Sequence, residues 1–347
     1  MLKNYLKIAW RNIRKHKLYA VINIFGLATG LACCLLIYLH VQDELSFDAF
    51  HGKSDRIYRV LETRGQSGGE ARMNAYTMGA LGPAMQAKLP EVTGSARLFR
   101  GWRLTVKNSE PGMIMRDYLF SDPGFFTLFD FPVLYGQAET ALTEPNAVVL
   151  TASTARKLFG EGDPVGKVLR VEAEDFPDFG QQPFRVTAVL QDLPHNSHLQ
   201  FELLISLNSL DRFENWARYI NSWQSGFVLN YLVVEPGTAP EKLDAALTAH
   251  SREHRDAETS STRPLSVQPL KDIHFYSQHV SGELNAHEGD LTYVYVFAMI
   301  AFFMLLIACI NYMNLATARS LRRAKEVGLR KVVGAARKQL VLPFLGE

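Results

Sequence analysis

The sequence predicts a membrane protein in which two transmembrane α-helices flank an α+β extracytoplasmic domain. Two long stretches without a charged residue, Tyr19–Val41 and Leu291–Ala318, bracket an acidic region, residues 42–290. A dense block of Lys and Arg lies on the outer side of each stretch. The region between them mixes strand-like and helix-like patterns without a regular βαβ order, which favours α+β over a doubly wound sheet.

Both apolar stretches are long enough to cross a membrane as helices. They run 23 and 28 residues, and a hydrocarbon core of ~30 Å needs about 20 residues of helix. A cleaved signal peptide is the main alternative for the first stretch. Because this stretch is longer than the ~7–15 apolar residues of a signal peptide and no small-x-small cleavage site follows it, we favour a transmembrane helix.

The charge distribution predicts the orientation in the membrane. Residues 1–42 hold six basic and no acidic residues, and residues 319–347 hold eight basic and two acidic residues. Taken from totals of 37 basic and 35 acidic residues, this leaves 23 basic and 33 acidic residues between them, a net charge of −10. Lys and Arg beside a span stay on the cytoplasmic side. We therefore expect both termini in the cytoplasm and residues 42–290 on the other side of the membrane.

Residues 1–18 predict a cytoplasmic amphipathic helix. Basic residues alternate there with apolar side chains at helical spacing, which are Leu2, Tyr5, Leu6, Ala9, Trp10 and Ile13. A helix of this kind binds membrane lipid at the inner leaflet. The same apolar stripe could instead pack on the transmembrane helices, and both alternatives keep the segment at the cytoplasmic face.

Two features of the spans concern helix packing and redox state. Gly26 and Gly30 form a GxxxG pattern, which lets two helix backbones approach closely, so they are candidate helix-packing residues without a named partner helix. All three cysteines, Cys33, Cys34 and Cys309, lie inside the spans. The exported domain is therefore expected to have no disulfide and to depend on packing for its stability.

The exported region, residues 42–290, predicts strands and short helices and is large enough for a core of its own, which can divide into two lobes. Strands are expected at Arg56–Thr63, Ala96–Asn108, Met113–Phe120, Ala147–Leu150, Lys167–Val171, Phe184–Leu190, Phe201–Ser206 and Phe227–Val234. Helices are expected at Tyr76–Leu89 (interrupted by Gly79, Gly82 and Pro83), Ala152–Phe159 (with Thr151 as N-cap) and Pro240–Arg252.

One local pattern matches a metal-binding signature. Residues 250–254 read His-Ser-Arg-Glu-His, the H-x-x-E-H pattern of inverted zinc peptidases, in which two histidines one helical turn apart bind zinc. A third ligand is required, and Glu326 falls across the membrane, which leaves Glu258, Glu283 and Glu288. We therefore favour a solvated, charged helix end, and we predict no metal site and no catalytic residue.

Two further patterns, at residues 195–198 and 162–167, resemble a metal site and a phosphate-binding loop but lack residues that each would need. His195-Asn196-Ser197-His198 has no third clustered ligand and predicts a polar turn. The spacing Gly162-x-x-x-Gly166-Lys167 is too short for a phosphate loop, and Val168 stands where Ser or Thr would hold magnesium. The chain is expected to carry no ATPase, to need no cofactor and to bind no nucleic acid.

The C-terminal region carries the most specific signature. Residues 309–319 read Cys-Ile-Asn-Tyr-Met-Asn-Leu-Ala-Thr-Ala-Arg, and residues 323–335 read Arg-Ala-Lys-Glu-Val-Gly-Leu-Arg-Lys-Val-Val-Gly-Ala. This region closely resembles the FtsX-like permeases of ABC transporters. Earlier blocks resemble the MacB-like periplasmic core domain, namely Trp10–Asn12, Asp43–Phe50, Ile57–Val60, Phe159–Lys167 and Asp192–His198. Together the blocks cover almost the whole chain in the right order.

The resemblance implies a non-catalytic permease subunit of the bacterial inner membrane, with residues 42–290 in the periplasm, that works by mechanotransmission. A separate ABC ATPase would bind ATP and dock on a short cytoplasmic helix after the second span. The implied ATPase-coupling residues are Arg323, Lys325, Glu326, Val327, Gly328, Arg330, Lys331 and Gly334. A dimer of permeases and a periplasmic protein partner are also implied. Members of this group export macrolides or peptides, extract lipoproteins or activate cell-wall hydrolases, and the sequence does not choose among these activities.

Complete members of the family have four spans, whereas this sequence ends at Glu347, shortly after the coupling segment. We therefore expect the front half of a permease, or a chain whose other half is separate. A transmembrane sensor with an exported ligand-binding domain is the alternative. A sensor predicts a helical linker after the second span, whereas Gly328 and Gly334 are expected to break the helix there.

Overall fold

The computed structural model describes residues 17–65, 72–101, 103–108, 112–173, 180–224, 226–255, 259, 263–282, 284 and 288–332, without the side chains of 18–20, 23, 315, 316 and 318–331. The chain divides into two compact units. One comprises Met1–Leu45 and Leu291–Glu347, and the other is Ser46–Asp290. The predicted amphipathic helix at 1–18 and the segment from 333 to 347 lie outside the described residues, apart from residues 17 and 18.

Two helices of the first unit are long and apolar enough to cross a membrane. The qualifying segments are Ile24–Glu44, with 21 residues, and Leu291–Asn314, with 24 residues. They belong to two longer helices, the first long helix Lys17–Glu44 and the second long helix Leu291–Val332. Most of their described side chains are exposed, as expected for surfaces that meet lipid. The limits of the membrane itself stay a prediction.

The two long helices pack against each other through small side chains. A Cβ placed on Gly30 would lie 3.4 Å from Cβ of Ala308, and one on Gly26 would lie 3.8 Å from Nδ2 of Asn311. Nearby, the Cys34 thiol donates a hydrogen bond to the carbonyl of Ala301, with 3.2 Å between Sγ and O. The GxxxG pattern therefore faces the second long helix, while its contribution to stability stays a prediction.

The second long helix is continuous for 42 residues. The expectation that Gly328 breaks the segment after the span is wrong, because the helical backbone passes through Gly328 and ends at Val332. A single glycine costs only about 1 kcal/mol relative to alanine inside a helix, which neighbouring strong helix formers can offset. Gly334 lies outside the described residues.

The second unit contains most of the strands and helices. Its described strands are β1 (Ile57–Arg64), β2 (Arg72–Asn74), β3 (Tyr76–Met78), β4 (Val92–Arg100), β5 (Leu104–Lys107), β6 (Met113–Met115), β7 (Tyr118–Ser121), β8 (Val133–Gly136), β9 (Ala147–Thr151), β10 (Val168–Ala173), β11 (Gln181–Leu190), β12 (Leu203–Ser206), β13 (Gly226–Val234), β14 (Leu265–Pro269) and β15 (Val280–Ser281). Its described α-helices are α1 (Leu81–Lys88), α2 (Phe125–Leu128), α3 (Ala152–Phe159), α4 (Glu214–Ile220), α5 (Pro240–His254) and α6 (Ile273–Tyr276). Four short 3₁₀ turns connect them, at Ser54–Arg56, Ala138–Thr140, Leu207–Leu210 and Leu270–Asp272.

The described strands form one sheet in the order β15-β2-β1-β13-β4-β7-β12-β9-β11-β10-β5-β6, and β14, β3 and β8 pair with β1, β13 and β11. Three pairs are parallel, β9 with β11, β7 with β12 and β2 with β15, and the other described pairs are antiparallel. Strands β9 and β12 are buried along their whole length, as expected for central strands that are covered on both faces. This architecture confirms the predicted class, a domain of mixed strands and helices between two apolar helices.

A buried ion pair fixes the middle of this sheet. Arg97 on β4 binds the carboxylate of Asp122 through Nε and Nη2, at 2.8 and 2.9 Å. Its Nη1 donates to the backbone carbonyls of Gly79 and Ile220, at 3.2 and 2.9 Å. One guanidinium therefore ties β4 to the residue that follows β3 and to the last residue of α4, and its fixed fork is suited to such multiple contacts.

Several predicted elements are shorter or more divided than the patterns indicate. The helix predicted over Tyr76–Leu89 is wrong in its first part, because residues 76–78 pair with β13 and the helix begins at Leu81. The strand predicted over Ala96–Asn108 is two strands, β4 and β5. The interruption is at Gly101, where any Cβ would collide with the ring of Tyr118. A turn imposed by tertiary packing is not visible in strand propensity.

The helix predicted at Ala152–Phe159 has the predicted bounds, but a different residue satisfies its N-terminus. Thr151 stands at the N-cap position without a capping hydrogen bond, and its hydroxyl donates to Oγ1 of Thr154 at 2.9 Å. Oδ1 of Asp192 accepts from the backbone N–H of Ser153 at 2.7 Å instead. Asp192, which is distant in sequence, therefore satisfies a backbone N–H at the N-terminus of this helix, as an N-cap side chain would.

Replacing Gly30 by leucine tests the packing of the long helices. We expect Gly30→Leu to destabilise the pair by about 1–3 kcal/mol, because the added side chain overfills the contact with Ala308. Gly30→Ala should be tolerated, since 3.4 Å is an ordinary contact distance. Circular dichroism during titration of the purified protein with SDS measures the effect. Ala28→Leu, at an exposed position, is the control for added bulk, and equal effects of Gly30→Leu and Ala28→Leu would contradict the assignment.

Candidate functional site

The second unit begins with a tight turn, residues 46–50, which we call the N-terminal junction because it follows the first long helix. Asp48 has a φ of 53°, in the left-handed region that Asp and Asn tolerate better than most residues. Its backbone N–H donates to the carbonyl of Asn196 at 2.8 Å. Nδ2 of Asn196 donates in turn to Oγ of Ser46 at 2.8 Å. The junction is therefore attached to a segment 150 residues further along the chain.

The carboxylate of Asp48 lies at the centre of a buried polar cluster. It accepts hydrogen bonds from Oγ of Ser197 at 3.0 Å and from Nδ1 of His198 at 2.9 Å. Nε2 of His198 lies 3.0 Å from the hydroxyl of Tyr231 on β13. Because an ionised carboxylate can only accept hydrogen bonds, Nδ1 of His198 donates to it. We call Asp48, Ser197, His198 and Tyr231 the Asp48 clasp.

The clasp stabilises the charged form of Asp48. Burial acts to raise the pKa of this carboxyl group, but the charge and hydrogen bonds of His198 outweigh burial and hold the pKa below its usual value. Asp48, Ser197, His198 and Tyr231 are each at most 1% exposed. A charge buried this deeply is tolerated only when its partners stay in place.

A second histidine closes the cluster from the other side. Nδ1 of His51 accepts from the backbone N–H of Asp130 at 3.0 Å, and its Nε2 lies 3.9 Å from Oδ1 of Asp48. The ring packs between Phe129 and Phe131, with centroid distances of 5.3 and 5.2 Å. Burial in this apolar surrounding lowers the pKa of His51 to about 4. His51 is therefore neutral at physiological pH.

The end of the unit meets its beginning at one residue, His274 on α6. The ring of Phe47 stacks on the imidazole of His274, with 3.5 Å between centroids and 8° between planes. The backbone N–H of Gly289 donates to the carbonyl of His274 at 2.9 Å. A Cβ at position 289 would collide with the same imidazole, so this approach requires glycine. Residues 288–290, the C-terminal junction, directly precede the second long helix.

The polar contacts thus form a connected path within the unit. It leads from Gly289 to His274, from His274 to Phe47, and from the neighbouring Asp48 to His198. A displacement at residue 289 would therefore strain the N-terminal junction and the clasp.

Parts of this site are recognisable in the sequence, but their contact with one another is not. Asp48 and Ser197–His198 belong to the two blocks that resemble the periplasmic core domain, and the structure brings these blocks into contact. His195 and Asn196 lie in a turn, in keeping with the polar turn predicted for this segment. His274 and Tyr231 were missed, because a lone histidine after a strand and a tyrosine inside one carry no local signal.

The predicted ATPase-coupling residues lie at the far end of the second long helix. Positions 323–331 are on its helical backbone, and their side chains lie outside the described part of the chain. The role of Arg323, Lys325, Glu326, Val327, Gly328, Arg330, Lys331 and Gly334 stays a prediction.

The H-x-x-E-H segment forms the last turn of α5. The solvated helix end predicted there is wrong for His250, which is buried, and holds for Glu253 and His254, which are exposed. Of the third ligands considered, Glu258 and Glu283 lie outside the described residues. That the chain is not a zinc peptidase stays a prediction.

The loop between α3 and β10, residues 160–167, contains three glycines with positive φ, at Gly160, Gly162 and Gly166. The side chain of Asp163 accepts from the backbone N–H of Val165 at 2.8 Å. The loop is thus a compact turn of the kind that glycine permits. That the chain binds no ATP and needs no cofactor stays a prediction.

Comparison with known proteins is consistent with the resemblance noted in the sequence. The profile of the MacB-like periplasmic core domain matches residues 20–250, and that of the FtsX-like permease C-terminal matches residues 298–347. The macrolide export ATP-binding/permease protein MacB of Bdellovibrio bacteriovorus is 26% identical over 57% of this chain and 27% of its own length. This chain spans about a quarter of the length of the curated relatives it matches.

Two solved structures are similar to part of this chain. A domain of a Porphyromonas gingivalis protein described as a permease is 25% identical and has a TM-score of 0.50, covering 63% of this chain and 92% of that domain. The periplasmic region of MacB from Actinobacillus actinomycetemcomitans is 12% identical, with a TM-score of 0.45, covering 64% of this chain and 92% of that structure.

Removing the charge of Asp48 tests the clasp. We expect Asp48→Asn to lower the free energy of unfolding of the second unit by about 3 kcal/mol, because it breaks a buried charged pair. Asn tolerates the left-handed backbone, so the change isolates the carboxylate. Denaturation by guanidinium followed by tryptophan fluorescence measures it. Asp117→Asn, at an exposed pair with Arg100, should cost less than about 1 kcal/mol, and equal losses would contradict the clasp.

The lowered pKa of His51 predicts a loss of stability in mild acid. A neutral buried histidine stabilises the fold above the unfolded-state pKa of 6.5, and this contribution falls as the pH drops from 6.5 towards 4, because protons then bind the unfolded chain more readily. The loss can reach about 3 kcal/mol. The Asp48 contribution is lost only below pH 3.8. Chemical denaturation at pH 7, 5.5 and 4.5 measures the change.

The control for this pH dependence is His51→Gln, which keeps an acceptor for the Asp130 N–H and removes the titrating group. Its stability should change less between pH 7 and 4.5 than that of the wild type. The same pH dependence in both proteins would mean that His51 is not the group responsible.

Proposed function

This chain belongs to the family of the MacB-like periplasmic core domain, with an FtsX-like permease segment at its C-terminal end, and we propose that it transmits ATP-driven motion of a separate ATPase to its periplasmic domain. The family is that of ABC transporter permeases. The named relatives are macrolide exporters. For this chain we propose mechanotransmission, used for efflux or for the release of a lipoprotein, and we assign no substrate.

The observation that carries this proposal is the continuity of the second long helix. It runs 42 residues, or about 63 Å at 1.5 Å per residue, against ~30 Å for a hydrocarbon core. Its qualifying apolar part ends at Asn314, and 18 further helical residues follow. One helix therefore begins directly after the C-terminal junction and contains seven of the eight predicted coupling positions, all except Gly334. A continuous helix transmits displacement better than two helices joined by a flexible loop.

The path within the second unit supplies the other half of the mechanism. Gly289 is bonded to His274, and His274 is stacked on Phe47, which precedes Asp48. A pull on the second long helix would act on Gly289 first. We propose that the buried clasp resists small displacements of the N-terminal junction and transmits larger ones to β13 through Tyr231.

The cytoplasmic end suits a protein partner. The spacing of positions 319, 323, 326 and 330 places them on one face of a helix, and this face carries three arginines and Glu326. A mixed-charge helix face can dock in a groove whose charges set its orientation. We propose an ABC ATPase as this partner, with the ATPase supplying ATP hydrolysis. A second permease copy, inner-leaflet lipid and a periplasmic protein complete the proposed assembly.

The orientation rests on charge. The chain is an inner-membrane protein by its two apolar helices and its periplasmic-type domain, and we propose cytoplasmic termini with residues 42–290 in the periplasm. The basic blocks outside both spans support this topology.

The sensor alternative is favoured by one observation and opposed by another. A continuous helix after the span would suit a signalling linker, so the expected break at Gly328 no longer argues against a sensor. The match of residues 298–347 to the FtsX-like permease C-terminal argues for the permease. Recovery of an ATPase distinguishes the two hypotheses.

A pull-down with charge reversal tests the proposed ATPase partner. Wild-type protein solubilised in mild detergent should recover an ABC ATPase from its own membranes, and Glu326→Arg should reduce the recovery at least about tenfold by placing like charges together. Glu347→Arg makes the same charge change outside the coupling segment and should retain the ATPase. Equal recovery with Glu326→Arg would contradict the role of Glu326, and no ATPase with any form would contradict the proposed partner.

A further inference from the structure

The last turn of α5 brings three metal-ligating side chains together. Among the described residues, His250, Glu253 and His254 each offer a donor atom, and these atoms lie within 4.8 Å of one another. Nδ1 of His250 is 3.1 Å from Oε2 of Glu253. This separation is close to the distance between two ligands that bind one ion at 2.0–2.2 Å.

The side chains are held by their surroundings. His250 is 5% exposed, and its ring meets that of Trp223 edge-on, with 5.2 Å between centroids. His254 is exposed and stacks on the same indole, with 4.3 Å between centroids and 10° between planes. One tryptophan therefore orients both imidazoles, which reduces the entropy lost when they bind a common ion.

A cation already lies in this cluster. Nζ of Lys88, the last residue of α1, is 2.9 Å from Nδ1 of His250 and 2.6 Å from Oε2 of Glu253. The side chains of Lys88 and Glu253 are 52% and 58% exposed, so the lysine can leave without unfolding the helix. The cluster also lies at the C-terminal end of α5, where the helix dipole favours positive charge. The site is thus built to hold a cation.

We propose that His250, Glu253 and His254 form a binding site for a divalent transition-metal ion, which takes the place of the Lys88 ammonium. Two imidazoles and one carboxylate favour Zn²⁺ or Cu²⁺ over Mg²⁺ or Ca²⁺, which prefer oxygen ligands. The three ligands leave further coordination positions for water. We assign the site a structural or regulatory role. It is independent of the proposed transport function.

Metal binding would have a mechanical consequence. Lys88 ends α1 and bridges it to α5 through His250 and Glu253. A metal ion at the cluster repels the ammonium and releases this bridge. Without metal, Lys88 links α1 to α5. With metal bound, the ion would link only residues of α5 to one another, so that α1 would be held less tightly against α5.

Competition between the lysine and the metal gives a sharp test. The full chain is purified in detergent with a tag that contains no histidine, and zinc binding is measured by competition with a chromogenic chelator. We expect one zinc ion per chain at micromolar affinity. His254→Ala should weaken binding about tenfold or more by removing an exposed ligand, whereas Lys88→Ala should strengthen it by removing the competing charge.

The matched controls are His195→Ala and His279→Ala, which remove exposed histidines elsewhere on the same unit. Both should bind zinc as the wild type does. Three results would overturn the proposal: no zinc bound by the wild type, equal affinity in His254→Ala, or weaker binding in Lys88→Ala. Circular dichroism of each variant establishes that it is folded, so that loss of binding reports the site and not the fold.

Discussion

The arrangement of the second unit depends on the burial of one charge, the carboxylate of Asp48. An ionised carboxylate loses several kcal/mol of hydration when it leaves water, and the hydrogen bonds from Ser197 and His198 offset this loss. Ser197 and His198 lie 149 and 150 positions after Asp48 in the chain. The clasp therefore forms only when the first turn of the unit and the segment before β12 are both in place. The conformation of the turn at residues 46–50 therefore depends on the folding of the rest of the unit.

The burial of Asp48 also restrains the neighbouring contact between Phe47 and His274. Phe47 cannot leave His274 without moving Asp48, the next residue, and Gly289 is hydrogen-bonded to the same histidine. The two ends of the unit are thus bound to each other and to the sheet, through Tyr231 on β13. A helix of 42 residues begins at Leu291, directly after this unit in the sequence, and we propose that it transmits displacement to these contacts.

Much of this organisation could be predicted from the sequence, because the signals concerned are local. Apolar length identified the two long helices, and periodicity with a polar flank gave α3 its bounds. Contacts distant in sequence could not be predicted in this way. The start of a strand at Tyr76 depends on pairing with β13, the break at Gly101 depends on Tyr118, and the true cap of α3 is Asp192. In the candidate site, Asp48 and His198 belong to two separate sequence motifs. The role of His274 could not be predicted, because it depends on contacts with Phe47 and Gly289 that are distant in sequence.

The most direct measurement of the central claim is amide hydrogen exchange of the N-terminal junction in wild type and in His274→Ala. The account predicts faster exchange at residues 46–50, where the Asp48 N–H is bonded to Asn196, with exchange in β10 and β11 unchanged. Faster exchange throughout the unit would mean general destabilisation. Unchanged exchange at residues 46–50 would contradict the claim that His274 connects the two ends of the periplasmic domain.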